Sequence, residues 1–231
     1  MARLAVRAHD EEQMDAPDLD AALYGRVLAD LSRVNCWTLT ARPTLRFLDR
    51  VAASLDSFSL LDVGFGHGDM LRAIARWARK RGIRTQLVGV DLNERSEAIA
   101  RAATPASYGI DYRTGDYRDL AADFDFVVSS QVAHHMTGPQ LRAFLIFMEE
   151  TARRGWLISD LHRHPLSYAG FPLLARLIGA HPIVRQDGQL SIARSYRRDE
   201  WLPILKSAGI PSVGLHIARH FPFRLTVERI R

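Results

Sequence analysis

Three alternate glycines directly follow an apolar run in the first half of the chain: Gly64, Gly66 and Gly68. Glycine adopts positive φ readily and lets the backbone approach a ligand closely. A glycine-rich turn at the carboxyl end of a parallel strand is a common binding place for nucleotide-like ligands. Dinucleotide sites have the spacing G-x-G-x-x-G and hold a pyrophosphate at a helix N-terminus, whereas this chain has G-x-G-x-G preceded by Asp62. The acid and the spacing favour a ligand that carries positive charge.

Two further acids stand where a nucleoside would need them. Asp91 ends a second apolar run about 20 residues past the glycines, where a carboxylate accepts hydrogen bonds from ribose hydroxyls. Leu92 follows it and would lie beside the base. Asp116 follows a third apolar run and can accept a hydrogen bond from an adenine amino group. Two other interpretations stay open, because Asp91 can cap the next helix and Asp116 can be a solvated loop residue.

These motifs and a fourth apolar run at 124–128 resemble, in order and spacing, those of the class I S-adenosylmethionine-dependent methyltransferases, over residues 56–160. The resemblance implies an α/β fold with a Rossmann-like sheet, mostly parallel with one antiparallel strand, and S-adenosyl-L-methionine as cofactor. The cofactor-binding residues that it implies are Asp62, Gly64, Phe65, Gly66, Gly68, Asp91, Leu92, Asp116, Tyr117 and Ser130. Two other function classes remain open: a nicotinamide-dependent oxidoreductase, which the glycine spacing disfavours, and a non-catalytic module that keeps the cofactor fold.

Histidines follow the fourth and fifth apolar runs and could act as a general base. His134 and His135 come after the fourth run, and His162 and His164 after the fifth. An imidazole with a pKa near ~6.5 suits removal of a proton from a phenol or enol hydroxyl. We predict His134 or His135 as the base, although either could instead cap a helix or fill the pocket wall. The residues expected around the acceptor are Trp37, Gln131 and His162.

Several acceptor classes lack their motifs in this chain. Enzymes that methylate amino groups of nucleic acid bases often carry Asn/Asp-Pro-Pro-aromatic after strand four, where this chain has Ser-Ser-Gln-Val at 129–132. Cys36 lies outside any motif for cytosine methylation, and Asp160 alone is placed for a metal-dependent catechol site, so no metal is predicted. The resemblance favours a small apolar acceptor of phenolic, polyketide or quinone type. The apolar stretch 171–179 would supply a wall, although it could also be core or touch a membrane surface.

The bulk composition is that of a mildly basic globular enzyme. The chain has 231 residues, of which 47% are hydrophobic, one cysteine and a net charge of +5. One cysteine excludes a disulfide framework and fits a cytoplasmic protein, and no stretch reaches the ~20 apolar residues that span a bilayer. Lysine occurs only at 80 and 206, so the basic charge is almost all arginine. Such a bias is typical of a GC-rich genome, and we predict a small-molecule partner and no nucleic acid. Oligomeric state is not predicted.

The order of elements predicts where these residues are held. Residues 1–55 should form an N-terminal arm, frayed over 1–18, and a helical cap, and residues 56–231 the methyltransferase domain. Strand and helix patterns alternate from 56, which indicates a parallel sheet. Residues 162–196 exceed an ordinary connection and are expected to be a lid or substrate insertion, with a polar loop at 185–188. A helix at 199–208 and a closing hairpin at 211–217 and 223–227 should follow.

Overall fold

A seven-stranded sheet forms the centre of the computed structural model, which describes residues 4–120 and 123–231. The strands are β1 (Ser57–Val63), β2 (Arg84–Asp91), β3 (Ile110–Thr114), β4 (Phe124–Ser130), β5 (Ala152–Leu161), β6 (Leu215–His220) and β7 (Arg224–Ile230). The helices are α1 (Ala21–Trp37), α2 (Ala41–Val51), α3 (Asp69–Arg81), α4 (Glu94–Ala102), α5 (Gly138–Thr151), α6 (Pro165–Leu177), α7 (Pro182–Arg194) and α8 (Arg198–Ser207).

The sheet has the strand order β3-β2-β1-β4-β5-β7-β6. The first five strands pair in parallel, and β7 runs antiparallel to both of its neighbours, β5 and β6. The prediction of a mostly parallel sheet with one antiparallel strand is therefore confirmed. The chain reverses its sheet order between β3 and β4, so the carboxyl ends of β1, β2 and β4 surround a crevice where ligands of such sheets bind.

Continuous apolar strands and one-sided helices account for this architecture. The last four residues of β1 are all buried, as expected for a strand covered by helices on both faces. Leu71 and Ile74 of α3 pack on one face of the sheet, while Phe144 of α5 and Trp201 of α8 pack on the other. Gly82 ends α3 in the left-handed region with φ of 71°, where a glycine is the usual residue. The central strands are thereby fixed, and with them the turn that follows β1.

The segment after β5 forms two helices that pack against α1. Val27 and Val34 of α1 share an apolar cluster with Ala175, Ile183 and Val184. The polar loop predicted at 185–188 is wrong, because these residues lie inside α7. Gly188 is needed there for packing, since a Cβ on it would lie 2.2 Å from the ring of Phe171. Among the described residues, no helix is both long and apolar enough to cross a bilayer.

The N-terminal strap, residues 4–18, is packed rather than frayed, which corrects the prediction for the arm. Leu4 and Glu12 are buried. Arg7 donates hydrogen bonds to the carbonyl of Arg194 at 2.6 Å and to the carbonyl of His134 at 3.1 Å. The backbone N–H groups of Gln13 and Met14 donate to the Asp187 carboxylate at 3.0 and 2.9 Å. The polar residues that suggested a solvated arm are the ones that fasten it.

Candidate active site

A cavity of about 390 Å³ lies at the carboxyl ends of β1, β2 and β4, beneath the N-terminal strap. We call it the central cavity. Most of the residues predicted for the cofactor and the acceptor line it. They are Asp62, Gly64, Phe65, Gly66, Asp91, Leu92, Tyr117, Ser130, Gln131, His134 and His135. One continuous wall thus joins the glycine turn after β1, the end of β2 and the end of β4.

Asp62 is a buried carboxylate that lacks a partner for its charge. It is 1% exposed, and neither of its oxygens has a hydrogen-bond partner in the described part of the chain. Burial, with smaller contributions from Asp69 and Asp91, raises the pKa of Asp62 to about 8. A buried polar group normally finds a partner, so this carboxylate at the cavity wall fits a ligand with an ammonium group, such as the amino-acid part of S-adenosylmethionine.

Asp91 is fixed by the glycine turn itself. Its two carboxylate oxygens accept hydrogen bonds from the backbone N–H of Gly66 at 2.8 Å and of Asn93 at 2.9 Å. Burial raises the pKa of Asp91, although these two hydrogen bonds oppose the change. Each carboxylate oxygen has more than one acceptor site, so Asp91 can still accept hydrogen bonds from two ribose hydroxyls. The helix cap near Asp91 comes from Asn93, whose side chain accepts from Arg95 N–H.

The three glycines of the turn have different roles. Each has a positive φ, of 79° at Gly64, 50° at Gly66 and 78° at Gly68. A Cβ on Gly64 would lie 2.4 Å from the Val132 side chain, and one on Gly68 would lie 2.4 Å from the Tyr112 hydroxyl. A Cβ on Gly66 would meet one atom within 4 Å, at 3.8 Å. Gly66 therefore has open space where a ligand could approach its backbone, while Gly68 is outside the cavity lining and permits helix and strand to pack closely.

Three further predicted residues lie outside the wall of the central cavity. Asp116 does not line the cavity; it accepts hydrogen bonds from the guanidinium and the backbone N–H of Arg118, which hold its pKa below the usual value. Trp37 is 69% exposed at the end of α1, so the wall predicted for it is wrong. His162 is buried outside the cavity, beside the ring of His164. The adenine contact of Asp116 stays a prediction.

His134 is an imidazolium held between two carboxylates. Its Nδ1 lies 2.7 Å from Asp160 Oδ1 and its Nε2 lies 3.6 Å from Glu12 Oε1. Its backbone N–H also donates to Asp160, at 2.9 Å. Burial opposes the charged ring, but Asp160 and Glu12 outweigh it and raise the pKa of His134 to about 9. A ring that is already protonated at neutral pH cannot take a proton from a substrate, so the geometry argues against His134 as the base.

His135 has the geometry that a base needs. Its ring is partly exposed and lines the central cavity. Its Nδ1 lies 3.1 Å from Asp15 Oδ2, and its Nε2 lies 3.8 Å from Glu12 Oε1, which is beyond hydrogen-bond distance. Asp15 thus lies beside Nδ1, and Nε2 has no hydrogen-bond partner among the described residues. The two adjacent histidines, which the sequence presents as equivalent, therefore have different environments.

Glu12 and Asp15 are site residues that the sequence analysis missed. Both line the cavity, and Ser191 donates a hydrogen bond to Glu12 at 2.7 Å. Burial alone would raise the pKa of Glu12, but the nearby charge of His134 and the Ser191 hydrogen bond hold it below its usual value. The acidic run at 10–12 is the one sequence feature that indicates these residues. By itself such a run predicts a solvated arm, because the sequence does not show that the strap reaches the end of β4.

Glu12, His134 and His135 also present three ligand atoms within 4.8 Å of one another, as a metal site would. In this structure, protein side chains supply the positive charge beside the Glu12 carboxylate. His134 carries the positive charge, and Arg194 Nη1 adds another 3.8 Å from Glu12 Oε1. The absence of a metal from the site stays a prediction.

Gln131 anchors a polar network at the end of β4. It has a φ of 62°, which is uncommon for a residue other than glycine. Its side chain accepts from Arg224 Nη1 at 2.8 Å and donates to Asn35 Oδ1 at 2.8 Å. Asn35 in turn donates to Asp69 at 3.2 Å. The network ties α1, α3 and β7 to the cavity wall and fixes the Gln131 amide there; its contact with the acceptor stays a prediction.

Comparisons with known proteins identify a methyltransferase domain in the chain. Residues 60–155 match the family model described as a methyltransferase domain. The ubiquinone biosynthesis O-methyltransferase of Bordetella avium (strain 197N) is 26% identical over 188 residues, which cover 77% of this chain and 72% of that protein.

Two solved structures share the fold. One is magnesium protoporphyrin IX methyltransferase from Synechocystis PCC 6803 with bound SAH, with a TM-score of 0.58 and 17% identity, covering 95% of this chain and 91% of that one. The other is human N-acetylserotonin methyltransferase in complex with SAM, with a TM-score of 0.62 and 14% identity, covering 92% of this chain and 56% of that one. The cofactor predicted from the glycine turn is confirmed. The chain is a class I S-adenosylmethionine-dependent methyltransferase.

Proposed function

We propose that the protein methylates a hydroxyl oxygen of a small, largely apolar acceptor of phenolic, polyketide or quinone type. The relatives named for O-methylation in ubiquinone biosynthesis support this class. So do the apolar side chains that line the cavity beyond the glycine turn, contributed by Leu28, Leu31, Met136 and Val184. Apolar walls with a few placed polar groups are typical of sites for such molecules.

The observation that carries the proposal is the Asp15–His135 pair at the cavity wall. The bound cofactor supplies a methyl group on a sulfonium sulfur, so the protein must place the acceptor oxygen and take its proton. His135 Nε2 accepts the hydroxyl proton as the oxygen bonds to the methyl carbon. Asp15 holds the proton on Nδ1 and stabilises the imidazolium that results. The partial exposure of the ring lets it return this proton to solvent.

His134 has a positioning role in this scheme. Its fixed charge fastens Glu12, and with it the strap, to the end of β4. A buried imidazolium next to His135 also favours a developing phenolate over a neutral hydroxyl. In this proposal the strap and α7 cover the cavity, since Glu12 and Asp15 of the strap and Asp187, Gly188 and Ser191 of α7 line it. A lid or substrate role of residues 162–196 is part of the same proposal.

The test is turnover of a panel of phenolic acceptors with methyl-labelled cofactor. His135→Ala should lower turnover by roughly 10²-fold while cofactor binding is retained, because general base catalysis is lost. The loss should shrink at high pH, where a phenol ionises unaided. His164→Ala is a matched control, because His164 caps α6 and lies outside the cavity. Unchanged turnover in His135→Ala would refute the base assignment, and a loss independent of pH would indicate positioning.

A further inference from the structure

A second groove opens beside the central cavity, between α2 and α3. Its volume is about 710 Å³, and Asn35, Thr40 and Asp69 line both spaces. Leu39 and Leu45 give it an apolar side. These shared residues form the boundary between the two spaces, so a substituent of a molecule bound at that boundary would lie next to the groove.

Three arginines on the other side of the groove have no charged partner. Arg42 and Arg46 lie one turn apart on α2, and Arg76 faces them from α3. All three are exposed, and within the described residues none forms an ion pair or a side-chain hydrogen bond. Like charges four residues apart destabilise a helix, so the pair Arg42 and Arg46 lowers the stability of α2. We call this space the arginine groove.

The carboxylates of the groove are already engaged. Asp49 accepts hydrogen bonds from Arg81 at 2.7 Å and from Trp77 Nε1 at 2.8 Å. Asp69 accepts from Asn35 on the side of the central cavity. Neither neutralises Arg42, Arg46 or Arg76, and the groove keeps an excess of positive charge.

A buried cation adds to this charge from behind. Arg224 is 3% exposed and has no carboxylate within 4 Å in the described chain. Its Nη2 donates to the Thr38 hydroxyl at 3.1 Å and to the Thr40 hydroxyl at 2.5 Å, in the turn between α1 and α2. Thr40 itself lines the groove. Burial lowers the pKa of Arg224 to about 10, and Asp160 and Asp69 oppose this only from beyond 4 Å, so an anion in the groove would further offset the cost of burying the charge.

We propose that the arginine groove binds an anionic substituent, a carboxylate or a phosphate, of the acceptor whose reacting hydroxyl lies in the central cavity. The identity of the ligand as an acceptor rests on the proposed function, but anion binding by the groove does not. Guanidinium groups are suited to this role because they bind carboxylate and phosphate through paired hydrogen bonds. The groove would then select acidic acceptors over neutral ones of the same ring structure.

The test measures binding to the full chain both free and saturated with SAH, so that the cofactor's own carboxylate is accounted for. Calorimetry with inorganic pyrophosphate tests whether the groove binds a phosphate group. Calorimetry with protocatechuate, compared with catechol, tests whether the groove binds a carboxylate group. The triple variant R42Q/R46Q/R76Q should weaken anion binding about tenfold or more and leave catechol binding unchanged. The control R26Q/R176Q/R198Q removes the same charge from exposed arginines that also lack ion pairs in the described residues, and it should bind anions as the wild type does.

If the groove binds only one of the two anions, that result identifies the anionic group of the natural ligand as a phosphate or a carboxylate. Three results would overturn the proposal: no anion binding by the wild-type protein, equal weakening in both triple variants, or loss of anion binding once SAH is bound. The last of these would assign the arginines to the cofactor. Failure of methyl transfer to every phenol, with anion binding intact in the groove, would instead count against the proposed function alone.

Discussion

Cofactor binding should expel a proton from Asp62. Both carboxylate oxygens of this residue are buried without a partner, and burial raises its pKa to about 8. The free protein therefore holds Asp62 mostly protonated at neutral pH. An ammonium group placed beside the carboxylate favours its charged form and lowers the pKa again. Adding the cofactor should therefore release a proton, and that release can be measured.

The magnitude follows from the pKa. With a pKa of about 8, about nine-tenths of the molecules carry the proton at pH 7. If binding returns the pKa well below 6, about 0.9 proton leaves per cofactor bound, and the logarithm of the affinity rises with pH at a slope of about 0.9 near pH 7. The sign is fixed, because the free protein binds more protons than the complex, so affinity must increase with pH in this range.

Calorimetric titration with SAH in two buffers of different ionisation enthalpy measures the proton directly. Asp62→Asn keeps the shape of the side chain and removes its titration, so it should bind without releasing this proton. Asp69 and Asp91 also line the cavity, and burial raises the pKa of each, which makes the Asp62→Asn comparison necessary. Binding without proton release in the wild type, or equal release in Asp62→Asn, would refute the assignment of Asp62 to the ammonium group.

Three further outcomes are expected. Asp91→Ala should lower cofactor affinity at least about tenfold in calorimetry with the fold retained, since two charge-assisted hydrogen bonds to ribose are lost; unchanged affinity would remove the ribose role. Gly66→Val should abolish cofactor binding and also lower the melting temperature, because a β-branched residue is strained at a φ of 50°; normal binding would place the ligand elsewhere. The pKa of His134 is about 9 in the folded protein and ~6.5 in the unfolded chain. The ion pairs of His134 therefore stabilise the fold fully below pH ~6.5, and this contribution of ~3 kcal/mol to the free energy of unfolding is lost as the pH rises through about 9. Urea denaturation of His134→Gln should lack this loss, and an equal loss in the variant would contradict the ion-pair assignment.

Local patterns made much of the cofactor site predictable. Gly66 and Asp91 belong to short motifs in which an apolar strand, a turn and a helix follow one another, so the chain itself fixes their separation. The hydrogen bond between them closes that turn on the end of the next strand. The effect of Gly66→Val on stability was not predictable in the same way, because it depends on the φ that the turn adopts and not on its spacing.

Positions set by packing between distant segments were not predictable. Trp37 is aromatic and near the cap, which predicts a place in the wall, but it is exposed at the end of α1. The run at 185–188 is polar, which predicts a loop, yet Asp187 is buried there and accepts hydrogen bonds from the backbone of the strap. For Asp187 the deciding contact joins residues far apart in the chain, which the local sequence pattern does not indicate.

The pair His134 and His135 shows where such prediction ends. The two residues share a type, a short 3₁₀ turn and a place after β4, and they differ in what approaches them. Asp160 reaches His134 because β5 lies next to β4 in the sheet, and Glu12 completes the enclosure because the strap crosses the same strand ends. With His134 enclosed by two carboxylates, His135 is the histidine of the pair that we propose as the base. The strap that encloses the first histidine also carries Asp15 to the second, so the covering of the site and the surroundings of the proposed base have a single structural cause.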